Sequence, residues 1–164
     1  MKACFALLCM VAVVGLTGCS TFSHREYCAP ERASVPSMSP LPQGHGPITS
    51  KFGMRGGEGE RTRLHKGLDI AAAKGTPVLA TADGVVGYSG WNDGGYGNLV
   101  TLWHGGGYET RYAHLKKCDV DLGDRVRQGQ CIGRVGATGR ATGPHLHYEV
   151  RVNGEPKDPL GFVR

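Results

Sequence analysis

The sequence offers little from which to build helix. Beyond its first twenty residues no long helix-favouring stretch occurs, whereas 27 of its 164 residues are glycine, which suits tight turns and weakens helix interiors. The folded part is therefore expected to be all-β. A membrane-spanning helix needs about 20 apolar residues, and the N-terminal run Ala3 to Leu16 falls short of that. No internal repeat is visible. Charge of one sign is also scarce: the formal excess is only +5. The densest basic groups, Arg61-Thr62-Arg63 and Lys116-Lys117, are too small to form a nucleic-acid footprint. No nucleic-acid partner is expected, and so mild a positive balance suits anionic envelope polymers or lipid surfaces.

What is present begins with an export signal. Lys2 supplies a positive start, the apolar run follows, and Leu16-Thr17-Gly18-Cys19 closes it. These four residues resemble the bacterial lipoprotein processing box, in which small residues precede a cysteine that is lipidated and becomes the new N-terminus. On that reading residues 1–18 are removed and Cys19 carries the lipid anchor. Lys2, the sole charged residue lost, takes the net charge down by one to +4. Two acyl chains already suffice for stable anchoring. Export also implies an oxidising compartment. Of the six cysteines, Cys4 and Cys9 leave with the signal and Cys19 takes the lipid, so Cys28, Cys118 and Cys131 remain. Three pairings are formally open. Cys118 with Cys131 is the expected disulfide because both lie in the folded region, and closing that loop stabilises by about 3 kcal/mol in the chain-entropy model.

Residues 19–47 read as a flexible tether. Five of the nine prolines (Pro30, Pro36, Pro40, Pro42, Pro47) fall there among serine, glycine and charged residues. About 28 such residues extend to roughly 90 Å if fully polyproline-like and average nearer 30 Å if flexible. From Ile48 to Arg164 short apolar runs alternate with glycine-containing turns. Residues 77–80, 84–88, 98–103, 108–112, 131–135 and 145–152 read as strands, with His104-Gly105-Gly106-Gly107 as a hairpin connection and Asn153-Gly154 as a turn. The expectation is one compact domain over 48–164, mainly antiparallel sheet with long loops, and little helix outside the signal peptide.

Within that domain three places carry metal-binding or proton-transferring groups. His65 and Asp69 are four residues apart, which places both side chains on one face of a strand or of a helix. His145 and His147 stand two apart, so on a strand both point to one side, about 6.6 Å apart along it, while Leu146 faces the core. That pair suits one ligand and one proton-handling partner better than two ligands. His114 ends a predicted strand. His24 and His45 lie in the tether, and His104 is expected to serve its hairpin.

In order and detail these pieces resemble the LytM or lysostaphin-type zinc endopeptidases of the cell wall. The resemblance runs through residues 48–55, His65-Lys66-Gly67-Leu68-Asp69-Ile70-Ala71-Ala72, Gly75-Thr76-Pro77-Val78 and Tyr96-Gly97-Asn98. It continues through residues 107–115 and Gly143-Pro144-His145-Leu146-His147-Tyr148-Glu149, and so covers nearly all of 48–160. It implies a β fold with hairpins like those of lipoyl barrels, one Zn²⁺ held by His65, Asp69 and His147, and His114 and His145 as the catalytic histidines. Three ligands with one open position is the pattern of a catalytic rather than a structural zinc site. The one departure inside the domain is that Cys118 and Cys131 stand where the family commonly has aliphatic residues.

The resemblance further implies that the substrate is the cross-linked stem peptide of peptidoglycan. With the lipid anchor it implies a place in the cell envelope, on the outer membrane facing the periplasm in a diderm cell. The alternative is a non-catalytic activator of other wall hydrolases, which degenerate members of the family become by losing ligands. A carrier-type barrel is a further reading, since residues 123–130 resemble turns of biotinyl and lipoyl domains, but no lysine occupies a matching modification turn.

Overall fold

A computed structural model describes residues 32–42, 46–56 and 63–163. The signal segment, Cys19, His24, Cys28 and His45 lie outside the described residues. Twelve strands follow in chain order: β1 (Ile48–Ser50), β2 (Gly53–Arg55), β3 (Arg63–His65), β4 (Leu68–Ala71), β5 (Pro77–Leu79) and β6 (Gly84–Asn92). Then come β7 (Gly97–Trp103), β8 (Tyr108–Cys118), β9 (Arg125–Val126), β10 (Cys131–Val135), β11 (His145–Val152) and β12 (Glu155–Lys157). A single 3₁₀ turn at Pro159–Gly161 is the only helical element among the described residues. The expected all-β architecture is what the chain adopts.

Ten strands form one sheet whose main path is β1-β4-β11-β8-β7-β6-β9, with β10 against β5 and β8, and β12 against β11; β2 and β3 form a separate ribbon. Every pairing is antiparallel. Short turns account for the hairpins β6-β7, β7-β8 and β11-β12, because such turns can join antiparallel neighbours but cannot cross over to make parallel ones. The 104–107 hairpin has positive φ at Gly105, Gly106 and Gly107, a conformation that side-chain-bearing residues avoid.

Leu146, Tyr148 and Val150 of β11 point inward to meet Leu68, Val78, Val100, Leu102, Tyr112, Leu115 and Ile132, all at most 1% exposed. Each such side chain contributes about 1.5–3 kcal/mol on burial. A polar chain threads this core. Tyr148 Oη, Thr81 Oγ1, Tyr112 Oη and Thr110 Oγ1 follow one another at 3.0 Å, and Thr110 meets His104 Nε2 at 2.7 Å. His104 Nδ1–H donates to the Asp83 carbonyl at 2.7 Å, so this histidine does serve its hairpin. Each polar atom of this chain of side chains thereby keeps a partner and avoids the cost of being left unpaired.

β8 decides where the site will lie. Its first half, through Ala113, pairs with β11, whereas Leu115, Lys117 and Cys118 pair with β10. The switch falls at His114, which has φ 61° and sits opposite an irregularity in the β7 ladder. The sheet forks there.

Two expectations need correcting. Cys118 and Cys131 are both free thiols. The residue opposite Cys118 is Gly133, while Cys131 pairs with Leu79 on β5. Residues offset by two along adjacent strands sit roughly 7–8 Å apart, beyond ordinary disulfide span. The tether is also shorter than composition suggested. Ser34 N–H donates to His104 O at 2.8 Å, Ser37 N–H to Thr81 O at 3.1 Å, and Leu79 N–H to Pro40 O at 2.8 Å. Leu41, 2% exposed, belongs to the core. The prolines that suggested a free linker lower the entropy cost of docking an extended strap.

Leu41→Ala is therefore expected to destabilise the domain by about 2–4 kcal/mol, read as a shift of the denaturation midpoint. An unchanged midpoint would mean that the strap is not docked.

Candidate metal centre and catalytic groove

Alternation along β11 sends His145, His147 and Glu149 to the face opposite Leu146 and Tyr148. The antiparallel register then sets His147 opposite Asp69 of β4, joining residues far apart in sequence. His147 Nδ1 lies 2.7 Å from Asp69 Oδ1. His65, at the end of β3, brings its Nε2 to 3.1 Å from the same oxygen and 3.2 Å from His147 Nδ1.

The outward-facing nitrogens settle the tautomers. His65 Nδ1–H donates to the Lys51 carbonyl at 2.7 Å, and His147 Nε2–H donates to Glu149 Oε1 at 3.1 Å. With His147 in its neutral form, both inner nitrogens are lone pairs facing each other and a carboxylate oxygen. Such a convergence of acceptors calls for a cation. Tetrahedral zinc, with bonds of about 2.0–2.1 Å, spaces its ligand atoms roughly 3.3 Å apart, close to these separations. The donor set of two imidazoles and one carboxylate, all within 4.8 Å of one another, fits that ion.

Charge in the cluster is balanced by neighbours. Burial pushes the Asp69 carboxyl up, but hydrogen bonds from His147 and from Arg55, the latter at 2.9 Å to Oδ2, hold it well below the usual carboxylate range. Burial pulls His65 down. Burial also pulls on His147, yet its contacts with Asp69 and Glu149 leave it raised, so that without a metal these carboxylates favour a proton on the ring. A cation at Nδ1 displaces that proton, which makes metal affinity fall as pH falls. Glu149 is fully buried and kept ionised against burial by His147 and by Tyr96, whose hydroxyl donates to Oε1 at 2.7 Å.

His114 and His145 complete the groove, their ring centroids 4.8 Å apart. Each Nδ1–H donates to a carbonyl at 2.8 Å, that of Thr138 for His114 and that of Gly143 for His145. Their Nε2 atoms are thereby free to exchange protons in the groove, and that of His145 lies 3.9 Å from Asp69 Oδ1. Burial lowers the pKa of His114 and keeps it neutral. The groove encloses about 640 Å³ and is flanked by Arg55, Arg63, Lys66 and Arg140. All five histidine and aspartate positions singled out in the sequence line it.

A family model described as Peptidase family M23 matches residues 63–159. The chain belongs to peptidase family M23. It is 54% identical over 117 residues to the DD-carboxypeptidase/endopeptidase Mpg of Neisseria meningitidis, covering 71% of this chain and 27% of that protein. It is 50% identical over 97 residues to the peptidoglycan DD-endopeptidase ShyC of Vibrio cholerae, covering 59% and 22%. The chain thus spans about a quarter of the length of these curated relatives. Among solved structures, a zinc-containing peptidase from Vibrio cholerae superposes with TM-score 0.70 at 39% identity, over 79% of this chain and 40% of that one.

Sequence reasoning gave no individual role to Glu149, Tyr96 or Arg55 of this M23 domain. For Glu149 a signal existed, since it stands two residues beyond His147 on the same face of a strand. Nothing in sequence spacing ties Arg55 or Tyr96 to the cluster.

Two outcomes follow from this geometry. A left-handed backbone at a non-glycine residue costs roughly 1–2 kcal/mol, so His114→Gly is expected to be more stable than His114→Ala by about 1 kcal/mol in denaturant titration. Glu149→Ala is expected to weaken zinc binding by about 10–100-fold in competition with a chelator dye, whereas Glu149→Gln, still able to accept from His147, loses much less.

Proposed function

We propose that this chain is a zinc-dependent endopeptidase that hydrolyses the D,D peptide cross-links of peptidoglycan from a lipid anchor at Cys19. The observation that carries the reading is the convergence of His65 Nε2, Asp69 Oδ1 and His147 Nδ1 beside two further imidazoles whose Nδ1 atoms are already committed. Zinc in such a site supplies a Lewis acid and a water activated near neutral pH.

The chain's own residues do the rest. His65, Asp69 and His147 hold the ion, and Glu149 and the Lys51 carbonyl fix the two rings so that the correct nitrogens face it. His114 and His145 handle protons: an Nε2 of the pair accepts the proton of the attacking water and returns it to the leaving amine, while the other steadies the developing charge by hydrogen bonding. Because His114 is kept neutral by burial, it remains able to accept a proton somewhat below the ordinary histidine range.

Substrate class rests on the relatives. The names of Mpg and ShyC specify D,D bonds, and that of ShyC specifies peptidoglycan. Cys19 and the processing box before it support delivery to the envelope, and if the cell is a diderm, Ser20 after the cysteine supports a place on the outer membrane facing the periplasm. The activator reading is the weaker one, since an activator has no use for the five side chains that this chain keeps together.

The test is digestion of purified sacculi by the mature chain in detergent, with released muropeptides identified. Cross-links are expected to be lost, protected by chelator and lost again on adding zinc. His147→Ala is expected to lose the metal, whereas His114→Ala keeps it but falls by about 10²–10⁴-fold in rate. Intact cross-links with zinc-loaded protein would refute the proposal.

A further inference from the structure

The groove carries more positive charge than its chemistry uses. Of the four cations that flank it, Arg55 is neutralised by Asp69. Arg63, Lys66 and Arg140 have no carboxylate partner among the described residues. Among the described residues, the acids in the lining are Asp69 and Glu149, the first engaged with the donor cluster and the second fully buried. Arg63, Lys66 and Arg140 are exposed along the groove, where an entering ligand can meet them.

It comes from two separate segments. Arg63 and Lys66 bracket His65, while Arg140 belongs to the loop before β11. Arg140 is seated rather than adrift: its N–H donates to the Gly95 carbonyl at 2.9 Å, and its side chain lies along the Gly95 backbone. A Cβ at Gly95 would come within 3.1 Å of Arg140 Cδ, and the φ of 104° there also demands glycine. The facing loops are pressed so closely that a Cβ on Gly139 would meet Gly95 O at 2.5 Å.

Resting on the peptidase reading above, we infer that these cations make the groove selective for peptides bearing free carboxylates next to the scissile bond, against amidated or neutral linkers such as glycine bridges. Arginine suits this role because its planar fork pairs with a carboxylate through two parallel hydrogen bonds. Lys66 contributes as a point charge. Each exposed pair is individually weak, but three acting on one ligand discriminate by about tenfold at moderate salt. Screening reduces that margin at high ionic strength.

The test is calorimetric titration of the zinc-loaded full chain with the tetrapeptide L-Ala-γ-D-Glu-diaminopimelyl-D-Ala. Its partners are the same peptide amidated at the glutamyl and diaminopimelyl carboxyls, and one amidated only at the C-terminus. The first is expected to bind about tenfold more tightly than the fully side-amidated form, with the advantage shrinking as salt is raised. Arg140→Gln combined with Lys66→Gln is expected to cut it to about threefold or less. The C-terminal amide shows whether a terminal or a side carboxylate is read. Equal affinities, including no measurable binding of either peptide, or a preference untouched by the double variant, overturn the inference. Sacculus digestion separates the two readings: equal affinities with digestion intact sink the selectivity alone, and acid preference without digestion sinks the peptidase alone.

Discussion

Everything at this site hangs on the ladder between β4 and β11. One register sets His147 against Asp69 on the groove side and at the same time sends Leu146, Tyr148, Leu68 and Ile70 into the core. A slip of one residue would turn both histidines inward and expose the apolar set. The packing that stabilises the domain and the alignment of the metal donors are thus a single constraint, and hydrophobic burial holds the chemistry in place.

Around that ladder the backbone does the orienting. Carbonyls of Lys51, Gly143 and Thr138 each accept from a ring Nδ1, and Glu149 accepts from His147 Nε2. Three imidazoles are therefore held in defined tautomers before anything binds, and the fourth, His147, is oriented by a carboxylate at each ring nitrogen. His114 takes this furthest, accepting an unfavourable φ where β8 changes partners, with its ring beside those of His145 and His147. Local strain at such a point persists because the strands on either side over-determine it.

The strands and the 104–107 hairpin were legible because period-two patterning and glycine turns are local signals. So were His65 with Asp69 and His145 with His147, whose spacing of four and two put each pair on a shared face, whereas His114 stood alone at a strand end and gained its role only from the resemblance. Residues that act through tertiary proximity were not: Arg55 reaches Asp69, and Tyr96 reaches Glu149, only after the sheet has closed. The cysteines misled because lying in one domain says nothing about register, and Gly133 rather than Cys131 faces Cys118. The strap misled for the opposite reason, since proline-rich composition describes a chain without saying whether a surface awaits it; Leu41 finds one.

If the domain is anchored as proposed, that docked strap also bears on its working distance. Among the described residues its first backbone bond to the sheet is made by Ser34, so under the proposed lipid anchor at Cys19 about 15 residues separate lipid and sheet, a span of at most roughly 50 Å. Hydrolysis would then be confined to a thin shell of wall next to the bilayer, and cross-links deeper in the mesh would stay out of range whatever their chemistry.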